Sequence, residues 1–282
     1  MQTINRLDSL REQVRLLKAA GKRIALVPTM GALHAGHLAL VAEAKRQADA
    51  VIVSIFVNPT QFGPNEDLDA YPRTLEADLI KLAPLGVDLV WAPGASEVYP
   101  AGFATNMHVA GPSSGFCGGA RPGHFDGVAL VVTKLFNQTS ADVACFGEKD
   151  YQQLAVIRQF VRDLNIAIEI VGVPIVRDTD GLALSSRNIY LTADERMASL
   201  ALPRALQDAR DAILSGGNVN AALAEGIAAL HTAGFSDVDY FALADAQTLA
   251  LASQLENRPL RLLAAAKIGK TRLLDNLAVP PR

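Results

Sequence analysis

His34 and His37 stand three residues apart in Pro28-Thr29-Met30-Gly31-Ala32-Leu33-His34-Ala35-Gly36-His37. The apolar run Ile24-Ala25-Leu26-Val27 before this stretch reads as a strand, and residues 38–47 after it mix apolar and charged side chains at helical spacing. The histidines are therefore expected where a strand turns into a helix. A helix start carries unpaired N–H groups and the positive end of the dipole, so it suits an anion. Gly31 and Gly36 let backbone and phosphate come close, and imidazoles donate hydrogen bonds to phosphate oxygens. The expected ligand is a nucleoside triphosphate. The glycines have P-loop spacing, but His37 and Leu38 occupy the Lys and Ser/Thr positions, which rejects that motif. A tight turn with two surface histidines is the rival reading of the stretch alone. The helix dipole disfavours a cation at position 37, so His37 is expected to act as a neutral N–H donor.

Three further constellations carry polar chemistry. Asn58-Pro59-Thr60-Gln61 follows a second strand-like run, and its amides suit a hydroxylated or carboxylated small molecule. An Asn-Pro turn with a solvated Gln fits the same residues. Phe146-Gly147-Glu148-Lys149-Asp150 leaves another strand and opens a helix, which places the Lys149 cation where phosphates are expected. Asp150 and Gln153 also have capping-box spacing. Leu184-Ser185-Ser186-Arg187-Asn188 offers two hydroxyls and a guanidinium, a phosphate grip or a polar turn between domains. Arg121 and His124, in a glycine-rich loop, are possible anion contacts. Asp78 is a candidate magnesium ligand, against the commoner case of a solvated helical acid.

These residues need a frame. Short apolar strands alternate with helices as far as about residue 176, which indicates a Rossmann-like parallel sheet with helices on both faces. Ligands of such sheets bind beyond the carboxyl ends of the strands. The spacing predicts helices near residues 4–20, 74–83, 125–136 and 151–164, and strands near 23–27, 50–57, 87–91, 142–146 and 168–176. After about Asn188 a capping box at Thr192 and Glu195 opens one long helix to about residue 214. A helix near 219–233 and three strands, near 238–244, 260–267 and 271–277, then suggest a smaller α+β domain. The division is placed at 1–187 and 188–282.

The chain has 282 residues and a net charge of -3. That charge argues against a nucleic-acid partner, which usually meets a basic face. Cys117 and Cys145 form no disulfide framework or zinc pattern, and Cys145 reads as a buried, inert thiol. The N-terminal stretch has neither a signal-peptide pattern nor an apolar span of about 20 residues, so no membrane role and a cytoplasmic location are expected.

Several separated motifs together resemble the pantothenate synthetase (pantoate–β-alanine ligase) family. They are the His-x-Gly-His stretch, Ser54-Ile55-Phe56-Val57-Asn58-Pro59-Thr60-Gln61-Phe62, Tyr71-Pro72-Arg73-Thr74, Arg121-Pro122-Gly123-His124-Phe125, the run from Cys145 to Leu154, Gly181-Leu182-Ala183-Leu184-Ser185-Ser186-Arg187-Asn188, and Arg272-Leu273-Leu274-Asp275-Asn276. The resemblance implies ligation of (R)-pantoate to β-alanine through a pantoyl adenylate, with ATP cleaved to AMP and pyrophosphate, Mg2+ as cofactor, and a homodimer. It implies ATP contacts at Met30, Gly31, Ala32, Leu33, His34, Ala35, Gly36, His37, Gly147, Glu148, Lys149, Asp150, Val176, Leu184, Ser185, Ser186 and Arg187. Catalytic work is expected of His34, His37, Lys149, Ser185, Ser186 and Arg187, with His37 as the family's assigned proton donor. Substrate contacts are expected at Gln61, Gln153 and Asn58. Ala77 stands where some relatives place an acid beside the one matching Asp78. Two other readings differ in product: a nucleotidyltransferase acting on a phosphorylated acceptor, and a regulator that binds ATP without turnover.

Overall fold

The protein is described from a computed structural model covering residues 1–63 and 68–281. In chain order the main elements are β1 (Gln2–Ile4), α1 (Leu7–Ala19), β2 (Ile24–Thr29), α2 (Ala35–Gln47), β3 (Ala50–Ile55), α3 (Leu75–Leu82), β4 (Leu89–Trp91), α4 (Ala95–Val98), α5 (Phe116–Ala120), α6 (His124–Thr139), β5 (Val143–Gly147), α7 (Tyr151–Asp163), β6 (Glu169–Val173), α8 (Ala193–Ser199), α9 (Ala201–Leu214), α10 (Val219–Thr232), β7 (Asp237–Asp245), β8 (Leu260–Ile268) and β9 (Thr271–Val279). They form two compact units. One contains Met1–Ala110, Arg121–Glu148 and Val156–Pro174, and the other Gly111–Ala120, Lys149–Ala155 and Ile175–Arg282. The division placed at residue 187 from composition falls inside the last of these stretches.

In the first unit six strands run parallel in the order β1-β4-β3-β2-β5-β6. The central strands are apolar on both faces because helices cover both. Ala25, Val27, Val51, Val53, Val90, Val143 and Cys145 pack with Leu40, Val41 and Ala44 of α2. The alternate residues Leu26, Ile52, Trp91 and Ala144 are equally buried and face the other way. From β2 the chain moves through β3 to β4, whereas β5 and β6 lie on the other side of β2. The order reverses between β2 and β5, and a sheet of this kind binds ligands at that reversal. The histidine turn leaves β2 there, and Gly147 ends β5 beside it. The strand β1 has no counterpart in the sequence reading. Its three residues are too few to show a period, and pairing with β4 creates it.

The second unit is an antiparallel sheet, β7-β8-β9, against which α9 and α10 bury Leu202, Leu206, Ile213, Val219 and Leu230. The capping box at Thr192 and Glu195 is present. The single long helix expected after it is instead two, broken at Leu200. Pro203 explains the break: it has no N–H for the Ser199 carbonyl, and its ring crowds that group. At the start of α7 a 3-10 turn over Glu148–Asp150 leads directly into the helix, so Asp150 lies inside a helical turn and not at an N-cap.

β2 and β5 are fastened at the edge opposite the histidine turn by Asp142. Its carboxylate accepts from Lys18 Nζ at 2.6 Å and from the Ile24 N–H at 2.7 Å. Burial alone would raise its pKa, but the Lys18 and Ile24 donors outweigh burial and hold it below the usual carboxylate range. A carboxyl depressed in the folded state contributes stability above its unfolded pKa and loses it as pH falls through the folded value. Asp142→Asn is therefore expected to cost about 1 kcal/mol at pH 7, a figure discounted for a half-exposed ion pair. The deficit should vanish in urea titrations run below the native pKa of Asp142. An equal deficit at pH 7 and in acid would contradict this.

Candidate active site

The turn after β2 is an unfavourable piece of backbone held in place by one carboxylate. Gly31 has φ +84° and Ala32 φ +49°, the latter in a region that costs an L-residue about 1–2 kcal/mol. Asp78 of α3 is fully buried, and its two oxygens accept from the N–H groups of Ala32 at 2.9 Å and Leu33 at 2.8 Å. Thr74 Oγ1 donates to the same carboxylate at 3.1 Å, and Lys81 Nζ donates to the Leu33 carbonyl at 2.6 Å. Hydrogen bonds to a charged group contribute about 1.5–3 kcal/mol each, so the pair outweighs the strain of Ala32. A Cβ at Gly31 would stand 3.2 Å from both Asp78 Oδ2 and Ile55 Cγ2. Thr29 Oγ1 completes the turn by donating to the Ser54 carbonyl and accepting from Gly31 N–H.

This corrects the reading of Asp78 as a solvated helical acid, and the residue does not fit a metal ligand. Its oxygens are committed to protein donors and closed to solvent. Among the described residues no cluster of three or more His, Cys, Asp or Glu side chains suits a metal.

The two histidines cap the helix that follows. His34 is the N-cap of α2, and its Nδ1 accepts from Gly36 N–H at 3.1 Å. His37 Nδ1 accepts from His34 N–H at 3.3 Å. A backbone N–H can only donate, so both Nδ1 atoms are unprotonated in this arrangement and both imidazoles carry their proton on Nε2. The rings lie together, centroids 4.1 Å apart. The turn thus presents neutral Nε2–H donors, as the dipole argument expects for His37. The N–H groups of Ala32, Leu33 and Gly36 are taken by Asp78 and His34.

Asn58 and Gln61 are neither a solvated turn nor two equivalent ligands. Asn58 is buried and internally satisfied: Oδ1 accepts from Tyr99 Oη at 2.8 Å and Thr60 Oγ1 at 3.0 Å, while Nδ2 donates to Gly127 O at 3.1 Å and Gln61 Oε1 at 3.2 Å. It holds Gln61 with the oxygen inward, so Gln61 Nε2 points to Met30 Sδ at 3.0 Å, a weak acceptor. The Gln61 carbonyl is gripped as well. His124 Nδ1 lies 2.8 Å from it, Arg121 Nη2 3.3 Å, and Arg121 Nη1 lies 3.1 Å from His124 Nε2. Arginine only donates, so His124 Nε2 accepts and the proton sits on Nδ1, facing Gln61. Gly127 lets α6 approach, since a Cβ there would meet the Thr60 carbonyl oxygen at 2.3 Å. Tyr99 escaped the sequence reading, being 41 residues from Asn58 with no motif to mark it. Burial raises its pKa, against a lowering by Thr60, so the phenol keeps its proton and stays a donor at neutral pH.

In the second unit Lys149, Asp150, Ser185, Arg187 and Asn188 line one small cavity, of about 30 Å³, together with residues of β9. Ser185 Oγ accepts from Arg187 N–H and caps the 3-10 turn Ser186–Tyr190, which leaves its own proton to donate. Leu184 N–H donates to Val176 O at 3.0 Å, which joins two of the expected ATP contacts. Gln153 lies on α7, half-buried, and Gly147 and Glu148 leave β5 in the first unit. Cys145 is inert as expected: burial, with the Glu169 charge adding to it, pushes its thiol up to about 11.

A parallel sheet that reverses order beside a histidine-capped helix places the chain among the doubly wound α/β proteins. The chain belongs to the pantoate-beta-alanine ligase family, whose sequence profile matches residues 2–278. It is 59% identical over 281 residues to the pantothenate synthetase of Rhizorhabdus wittichii, covering 100% of this chain and 99% of that one. Its fold is similar to the crystal structure of pantothenate synthetase from Thermus thermophilus, with TM-score 0.92, 47% identity and full coverage of both chains. It is also similar to a pantoate-beta-alanine ligase from Francisella tularensis complexed with beta-gamma ATP and beta-alanine, with TM-score 0.81, 34% identity and coverage of 98% and 97%.

Asp78→Asn distinguishes an anchor from a metal ligand. An amide cannot accept from both Ala32 and Leu33, and an unpaired buried N–H costs about 1–3 kcal/mol. We expect a lower Tm and a higher KM for ATP, although removing a negative charge near a triphosphate would by itself tighten binding. The magnesium concentration for half-maximal activity should not move. A large shift in that concentration, with Tm unchanged, would restore the metal role.

Proposed function

We propose that the chain joins pantoate to β-alanine with cleavage of ATP, through an enzyme-bound pantoyl adenylate. The carboxylate of (R)-pantoate attacks the α-phosphorus and pyrophosphate leaves. The β-alanine amine then attacks the acyl carbonyl, loses a proton, and AMP departs with the mixed-anhydride oxygen. No residue needs to act as a covalent nucleophile. Family membership supports this reaction over transfer of a nucleotide to a phosphorylated acceptor and over a silent regulator.

The mutual capping of His34 and His37 is the observation that carries the assignment of roles. It fixes two neutral Nε2–H donors at a helix start, where they meet charge that builds on phosphate oxygens as the α-phosphorus is attacked. Lys149, Ser185, Ser186 and Arg187 supply cations and hydroxyl donors to the departing pyrophosphate. Residues 30–37, Gly147, Glu148, Asp150, Val176 and Leu184 are the proposed remaining ATP contacts. Gln61 presents its amide N–H to a pantoate oxygen, Gln153 contacts the same substrate, and Asn58 acts through Gln61. Magnesium is proposed to bind with the triphosphate and neutralise its charge, held by phosphate oxygens and not by Asp78.

The chain is proposed to work in the cytoplasm, and no helix among the described residues is long and apolar enough to cross a membrane. It is proposed to form a homodimer through the N-terminal domain, residues 1–187, with residues 188–282 acting as a lid that keeps water from the acyl adenylate.

Mass spectrometry should show AMP and pyrophosphate forming only with pantoate present, and pantothenate only once β-alanine is added. ADP and phosphate as products would refute the adenylate route. His37→Ala and Lys149→Ala should each slow adenylate formation by about 10²-fold or more, the scale of losing one preorganised donor, with circular dichroism unchanged. Single-turnover rates near wild type would remove those residues from the chemistry. In solution scattering we expect a dimer mass at micromolar protein and a smaller radius of gyration with a non-hydrolysable ATP analogue. A monomer mass counts against the dimer, and an unchanged radius against the lid.

A further inference from the structure

The motif Arg272-Leu273-Leu274-Asp275-Asn276 has no part in the chemistry above, yet it places two consecutive polar residues, each only 2% exposed, in the middle of β9. Successive strand residues face opposite sides of a sheet, so each must find its own partner. Asp275 forms a two-pronged ion pair with Arg177, at 2.7 and 2.9 Å. Arg177 also donates to the Gly181 carbonyl and bridges to Ala183, at the base of the turn that leads into residues 184–187. Asn276 faces the other way, and its Nδ2 donates to the backbone carbonyl of Lys149 at 2.9 Å.

The orientation of that amide is dictated. Arg261, on the neighbouring strand β8, donates Nε–H to Asn276 Oδ1 at 2.7 Å. A guanidinium cannot accept, so Oδ1 must face it and Nδ2 must face Lys149. Arg261 is itself buried, its guanidinium 4.0 Å from the ring centroid of Tyr151, whose hydroxyl donates to the Ala246 carbonyl. The chain Arg261 to Asn276 to Lys149 therefore starts from a group that is held on several sides. It ends on the peptide plane that sets the direction in which the Lys149 side chain leaves the backbone. The two sides of the cavity lined by Lys149, Ser185 and Arg187 are thus held by adjacent residues of one strand.

We propose that Asn276 is a positioning residue for adenylate formation, acting through the Lys149 carbonyl with its amide oriented by Arg261. The proposal rests on the reading of Lys149 as a phosphate-binding cation. A lysine whose base peptide can rotate spreads its ammonium over several ångströms, and misplacement of about 1 Å can cost 10²-fold in rate.

Asn276→Asp in the full-length chain tests it. Aspartate keeps the shape and still accepts from Arg261, but it cannot donate to the Lys149 carbonyl. Single-turnover formation of AMP and pyrophosphate should fall by about tenfold or more, while KM for β-alanine stays within twofold. In a Lys149→Ala background the same substitution should change the rate by less than about twofold, because groups acting as one unit are not additive. A merely structural defect would multiply undiminished on that background, and this outcome overturns the proposal. So does a wild-type rate for Asn276→Asp when Lys149→Ala is slow. A wild-type rate for Lys149→Ala itself would instead overturn the reading of Lys149. Should Asn276→Asp fail to fold, Arg261→Met removes the orienting donor without leaving a buried charge. The same cycle with Lys149→Ala then decides the matter by the same criteria.

Discussion

The buried carboxylate of Asp78 is the contact on which the histidine turn depends. A strand-to-helix turn that exposes two imidazoles needs backbone in the left-handed region at Gly31 and Ala32. The second of these is not glycine, so the conformation has to be imposed. Asp78 imposes it from α3 by accepting from two consecutive N–H groups, and Lys81 of the same helix holds the next carbonyl. Burying a carboxylate costs several kcal/mol unless donors surround it. Here three donors do, and the ammonium of Lys81 lies 3.9 Å away. The negative charge that shapes the site is thereby screened from the anion the site is proposed to bind.

A second constraint recurs wherever an amide or an imidazole borders the site. Such groups can flip or change tautomer, so their polarity is set only by a neighbour that cannot. Backbone N–H groups fix His34 and His37, a phenol held neutral by burial helps fix Asn58 and through it Gln61, and guanidinium groups fix His124 and Asn276. Each fixed polarity turns an ambiguous side chain into a defined donor. Gln61 shows the consequence: its Nε2 is turned toward a thioether, a weak acceptor, which suits the substrate contact proposed for it.

Much of this architecture was legible in the sequence. Strands buried on both faces read as apolar runs, and the turn after β2 carried glycines and histidines in a pattern few structural roles explain. What escaped was mostly non-local. β1 exists because β4 offers an edge, whereas the single helix expected after Thr192 is two because of Pro203, a local signal that the helical pattern around it masked. Asp78 read as a magnesium ligand or a solvated acid because a lone carboxylate in a helix gives no sign that a turn 45 residues earlier supplies its donors. Asn58 read as a possible ligand because composition does not reveal that Tyr99, Thr60 and Gly127 already satisfy it. In each case the local signal named the residue type correctly, and only tertiary partners decided whether it contacts substrate or holds a group that does.

That distinction bears on why buried polar residues stand behind the side chains proposed to work in each unit. In the proposed reaction the substrate carboxylate is the nucleophile and pyrophosphate leaves with its charge, so the protein contributes placed donors and cations. Their value falls steeply with misplacement, because preorganisation is what separates them from water. In the roles proposed for them, flexible side chains such as Gln61 in the first unit and Lys149 in the second would lose most of that value if their backbones were free. Asn58 and Asn276, with Gln152 holding the residue 112–117 loop by four hydrogen bonds, therefore commit their polar groups to backbone and neighbouring amides. Aliphatic residues at positions 58 and 276 would take these partners from the Gly127 and Lys149 carbonyls and from Arg261, and would leave the donors without a fixed direction. In each unit the buried amides act as a rigid frame for long, otherwise mobile side chains that are proposed to do the work.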